Sequence, residues 1–184
     1  MTPRFRNLST LTMLAALSAF SIVPAARAAE ESVVQADAAR AMQHGDELVK
    51  RGDYQRAAAE FERASELESG PCPDCLLGVA RAYSGARQYD AGIHVTKMAL
   101  ALYTEPADQA RAYDQLGSLL TLKGDMNAAR TAFGKAVELD ASMAAQVRSS
   151  LAEALLKRAK FELAAQATAA QPAAPAEVLV ASAH

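Results

Sequence analysis

Small residues recur along this chain at fixed distances, and those distances limit its fold more than any other feature. Gly45 to Ala57, Ala80 to Gly92 and Gly117 to Ala129 each span 12 residues. Ala57 to Ala64, Gly92 to Ala99 and Ala129 to Ala136 each span 7. In the outer two units Gly52-Asp53-Tyr54 and Gly124-Asp125-Met126 mark the same point, and Phe61 and Phe133 the same bulky position. A short unit of this kind cannot bury its own apolar face and must stack on copies of itself. Composition settles which secondary structure repeats. Of 184 residues 44 are Ala and only 5% are aromatic, which suits helices and argues against a β-sandwich or barrel.

The third unit is the fullest, with Tyr113, Leu116-Gly117, Leu120, Phe133, Ala136 and Leu139-Asp140. The middle unit is sparser: Leu76, Val79-Ala80, Tyr83, Tyr89, Gly92 and Ala99-Leu100. Together these landmarks resemble the tetratricopeptide repeat, a 34-residue helix-turn-helix. The resemblance implies an all-α chain, a right-handed superhelix of about three such repeats plus a C-terminal capping helix. On that register the repeats occupy 38–143, as units 38–71, 73–106 and 110–143. Gly45, Ala80 and Gly117 are small where the first helix of a unit, helix A, meets the second, helix B. Four departures from the pattern stand out: Thr96 replaces the large aromatic, Arg87 replaces the turn glycine, no Trp is present, and no Pro holds the usual closing position. A capping helix is expected over 144–167, where Val147, Leu151, Ala154, Leu155 and Phe161 recur at helical spacing.

Residues 1–28 have the pattern of a secretory signal peptide: basic Arg4 and Arg6, an apolar stretch without charge, Pro24 to end any helix, and Ala26-Arg27-Ala28 before the cut. Residues 29–37 then form a linker or the start of a helix. The expected mature chain is exported, periplasmic and soluble, with no membrane association. Without the three leader arginines the formal charge falls from −2 to −5, which disfavours nucleic acid as a partner. The last segment, 168–184, carries Pro172 and Pro175 and one charge, Glu177, and reads as a flexible Ala/Pro-rich tail.

One motif has chemical content: Cys72-Pro73-Asp74-Cys75, between the first two units at a helix start. In an oxidising compartment these cysteines can pair as a structural disulfide that clamps the entry to the second repeat. They can also serve as an exchange-active pair, because a helix start lowers a thiol pKa, although Asp74 between them opposes thiolate formation. A zinc site needs about four ligands, and His44, His94 and His184 lie at no ligand spacing from the cysteines. Haem attachment needs His after the second cysteine, where Leu76 stands. Glu60, Glu62, Glu66 and Glu68 alternate with Arg56 and Arg63 as a solvated helix face. No nucleophile elbow, phosphate-binding glycine loop or His-Glu-x-x-His helix is present. The reading is therefore not an enzyme, with no metal and no cofactor.

Binding is the function that remains. The resemblance implies a concave groove lined by each helix A, and it assigns Met42, Asp46, Val49 and Lys50 from the first repeat. From the second it assigns Asp74, Leu77, Arg81 and Ser84, from the third Arg111, Asp114, Ser118, Thr121 and Leu122, and beyond them Arg148. The expected role is a periplasmic scaffold or assembly module that docks another protein or a peptide. The alternative is a thiol-disulfide accessory protein acting through Cys72 and Cys75. Self-association through the solenoid ends is a third partner reading.

Overall fold

The computed structural model describes residues 22–169, with side chains over 31–166. Seven α-helices follow one another among these residues: α1 Ile22–Arg51, α2 Tyr54–Leu67, α3 Pro73–Gly85, α4 Tyr89–Leu102, α5 Pro106–Lys123, α6 Met126–Leu139 and α7 Ala144–Ala169. A 3-10 turn, Ala141–Met143, leads into α7. Paired as α1/α2, α3/α4 and α5/α6, they build an all-α repeat solenoid. Most of the expected leader, 1–21, and the tail from 170 onward lie outside the described residues. Pro24 does not end a helix: it lies within α1. The expected cut after Ala28 falls inside that helix, and so does 29–37.

The three turns inside the pairs are made the same way. Asp53, Gln88 and Asp125 each donate their backbone N–H five residues back, to the carbonyls of Leu48, Tyr83 and Leu120 at 2.9 Å. This closure requires the residue before to adopt a left-handed conformation. Gly52 and Gly124 do so at φ +82° and +100°, and Arg87 does so at φ +63°. Asp53 and Asp125 then cap the second helix by accepting from the N–H groups of Arg56 and Ala128. Gln88 supplies no such bond. The middle turn thus has the shape of its neighbours with neither of the residues that favour it.

Close approach explains the small residues. Phe61 is fully buried between α1 and α3, and a Cβ added at Gly45 or Gly78 would stand 2.6 or 2.5 Å from its ring. Phe133 lies against Gly117 in the third pair, at 2.7 Å from such an atom. In the second pair Thr96 is buried and donates its hydroxyl to the carbonyl of Gly92. The volume over Gly92 is taken by Leu119, reaching back from α5. A large side chain from the next repeat stands in for the aromatic that position 96 lacks.

Stacking is regular up to α5 and then changes. Of the preceding pair, α3 and α5 pack mainly on the second helix and lightly on the first. Helix α7 does the reverse, packing chiefly on α5 and lightly on α6. At its start, Val147, Met143 and Leu151 cover Ala129, Phe133 and Ala136. Farther along it crosses onto α5. It does not lie as the first helix of a fourth repeat, as α3 and α5 do in theirs.

Candidate partner-binding groove

A cavity of about 450 Å³ opens between α1, α3 and α5 on one side and α7 on the other. Its lining is mixed: Val49, Leu119, Leu122 and Phe161 are apolar, while Arg81, Ser84, Gln115, Ser118 and Lys157 are polar. The alternation of the inner helices sets this up. Each α1, α3 and α5 buries small residues against its partner helix, so the next residues around the cylinder project into the space the curved stack leaves. An apolar floor with a few polar groups is the composition expected of a recognition cleft.

Of the residues expected in the groove, Val49, Arg81, Ser84, Ser118 and Leu122 line this cavity. Asp46 stands beside it and accepts a hydrogen bond from Arg81 at 2.7 Å, so these two charges bridge the first and second repeats. Arg81 also lies 5.4 Å from the Phe61 ring centre, capping the core aromatic from the groove side. Lys50 and Arg148 are exposed away from the lining, and Met42 packs against the core formed by Leu48, Ala57, Phe61 and Val79. Arg111 sits at the start of α5, bonded to Asp108 at 2.7 Å and 3.5 Å from Asp74.

Three expected groove residues are not on the surface. Leu77 is buried with Ala99, Tyr103 and Ala112, because the step from α3 to α5 turns it into the core between repeats. Thr121 is buried and donates its hydroxyl to the carbonyl of Gly117. Asp114 is buried under α7, 9% exposed, and accepts a 2.8 Å bond on Oδ2 from the Ser150 hydroxyl. Its Oδ1 is buried with no partner. Loss of water raises the carboxyl pKa, and the Ser150 bond offsets this only in part. Register along a helix shows which residues share a face, but it does not show that a later helix will cover one of them.

Helix α7 forms a wall of the groove that the repeat spacing does not indicate. Ser150, Ala154, Lys157 and Phe161 fall at i, i+4, i+7 and i+11, and all four line the cavity. Leu155, expected to face the solenoid, is instead 41% exposed. The signal for this was present in Arg87. A non-glycine residue in a left-handed turn calls for a compensating contact, and its guanidinium lies over the Phe161 ring.

The cysteines stand at the opposite edge. Cys72 caps α3 by accepting the N–H of Cys75 on its sulfur at 3.2 Å. Their Cα atoms are 5.3 Å apart with the sulfurs within bonding reach. Cys75 is buried among Ala41 and Ala64, while Cys72 is half-buried. Asp74 accepts the phenolic hydrogen of buried Tyr103 at 2.5 Å, and burial together with that carboxylate pushes the phenol pKa well above its ordinary value. Asp74 is therefore a tie within the second repeat and, through Arg111, to the third, rather than a groove charge. His44 reaches Glu60 at 3.2 Å, and His94 is exposed. Among the described residues no group of three His, Cys, Asp or Glu side chains is placed to hold a metal ion. Among them, too, no helix is long and apolar enough to cross a membrane.

The tetratricopeptide-repeat family model matches residues 110–143, the pair α5/α6. Among solved structures the chain is similar to the C-terminal TPR-containing domain of a Plasmodium falciparum FK506-binding protein. That domain is 17% identical, and the match covers 72% of this chain and 95% of the domain with a TM-score of 0.50. At this identity the likeness is one of fold. No curated protein matches the chain.

Proposed function

With the chain identified as a tetratricopeptide-repeat protein by its 110–143 unit and its fold, we propose that it is a non-enzymatic scaffold that docks a protein partner in the groove between its inner helices and α7. The observation that carries this is the mixed lining of the cavity, with Val49, Leu119 and Leu122 beside Arg81, Gln115 and Ser118. Apolar anchors with a sparse set of polar groups suit a peptide or helix better than a small polar metabolite. The test is affinity capture with the wild-type chain, with Ser118→Arg, which fills the cavity, and with Arg130→Glu, an exposed control on α6. Partners held by the wild type and the control but lost with Ser118→Arg support the scaffold. Identical recovery by all three sinks it, provided circular dichroism shows the variants folded.

The leader motif supports export to the periplasm. The expected product is a chain beginning at Ala29, read by mass spectrometry of the periplasmic fraction; full-length protein in the membrane fraction would overturn export as a soluble protein. In that compartment Cys72 and Cys75 form a structural clamp at the start of α3. A second reading, thiol-disulfide exchange, draws support from the arrangement of half-buried Cys72 at a helix start beside buried Cys75. The redox potential separates the two. A value below about −300 mV belongs to a structural bond, and a value near those of exchange enzymes would favour the second reading.

A further inference from the structure

Helix α7 lies where a groove ligand would lie, and three features of the half beyond Ser150 bear on whether it can be displaced. Its inward face is made of small or polar residues, Ser150, Ala154 and Lys157, with Phe161 as the only large apolar group at the cavity. Beyond Leu151, its bulky leucines point the other way: Leu155, Leu156 and Leu163 are 41%, 56% and 66% exposed. Beneath it, Asp114 is buried with one neutral hydroxyl as its partner and with Oδ1 unsatisfied. A buried carboxylate served this way is destabilising, and a cation supplied to it would replace that penalty with a charge-assisted bond. The opposite end of the helix is tied by Phe161 to Arg87.

We propose that residues 150–166 of α7 are a displaceable occupant of the groove, and that the partner is an amphipathic helix. This helix sets a small residue against α5 and a lysine or arginine at Asp114. The proposal rests on the reading of the groove as the docking site and adds the chemistry of its ligand and the order of events. The groove is closed in the resting chain, and the partner competes with α7 rather than adding to it. Binding opens the contact at Arg87 while Val147, packed on Ala129, Phe133 and Ala136, remains the pivot. Affinity then reports the difference between two helices for one surface, so a cation at the Asp114 position makes the foreign helix the better ligand.

Hydrogen exchange on the full chain tests the first half. Amides of 155–163 are expected to exchange by a local opening, at least tenfold faster than the slowest amides of α5 and α6. Exchange of α7 at the same rate as α5 and α6 overturns the proposal. Two synthetic peptides of residues 144–166, one natural and one with Ser150→Lys, test the second half by titration against the full chain. The lysine peptide is expected to bind at least tenfold more tightly, and Asp114→Asn in the chain is expected to abolish the difference. Equal affinity, or no binding by either peptide, overturns it. Neither measurement uses a natural partner. Failed capture with these results intact would count against the scaffold reading alone.

Discussion

The guanidinium carbon of Arg87 lies 4.3 Å from the centre of the Phe161 ring, joining the turn of the second repeat to the last helix. The same residue occupies a left-handed turn at φ +63°, where the equivalent residues of the other repeats are Gly52 and Gly124. Left-handed backbone costs an ordinary residue about 1–2 kcal/mol, and an exposed cation over a ring returns about 0.5–1 kcal/mol. Replacing Arg87 with glycine removes both. The expected outcome of Arg87→Gly is a change in unfolding free energy of less than about 1 kcal/mol, with α7 losing hydrogen-exchange protection while α1–α6 keep theirs.

Two glycines make a second, opposed pair. Gly134 lies on the exposed side of α6 with nothing within 4 Å of an added Cβ, so Gly134→Ala should stabilise by about 0.5–1 kcal/mol through helix propensity. Gly78 faces the Phe61 ring at 2.5 Å from such an atom, and that ring is walled in on all sides. Gly78→Ala should destabilise by about 1–3 kcal/mol, the usual penalty for overpacking. Urea titration of both variants checks the contrast, and the double variant Gly78→Ala with Phe61→Leu should recover part of the loss.

Asp114 has a folded-state pKa above its unfolded value because α7 removes its water. The folded chain therefore holds the proton more tightly than the unfolded one. Stability from this group is fully present below the unfolded pKa and is lost as pH rises through the folded pKa. Asp114→Asn removes the ionisation and should raise the unfolding free energy at pH 7 by about 1 kcal/mol. The gain should shrink toward zero below about pH 3.9, where the wild-type carboxyl is neutral in both states. Paired denaturation curves across pH read this directly, since all other carboxylates cancel in the difference.

Tyr103 and Asp74 give a fourth expectation. The phenol is buried and bonded to the carboxylate, which also sits 3.5 Å from Arg111. Tyr103→Phe keeps the ring among Leu77, Ala99 and Ala112 and removes only the hydrogen bond. A loss of about 1 kcal/mol is expected, with helicity unchanged by circular dichroism.

Much of the helical frame was legible because it depends on spacing alone. Gly52-Asp53 and Gly124-Asp125 announce a left-handed residue followed by a helix cap, a requirement that lies wholly within four or five residues. Gly45 and Gly117 likewise mark where an aromatic four turns away in sequence must come close, and Phe61 and Phe133 are there. Gly78 carried no such mark, because it serves the aromatic of the preceding repeat and no spacing within its own unit refers to it. Leu77 and Asp114 show the same boundary from the groove side. Each falls on the face of its helix that the repeat pattern turns inward, yet one is covered by the next repeat and the other by α7.

The sequence by itself determined that the chain is a stack of helix pairs, since the periodic small residues, turn glycines and caps act through contacts near in sequence. Only the tertiary structure decided that α7 crosses onto α5, that Asp114 lies beneath it, and that Arg87 meets Phe161. Those contacts join residues 36 to 74 positions apart through the curvature of the whole stack. The path of α7 follows from which surface the accumulated superhelix leaves open, and no local pattern encodes that sum.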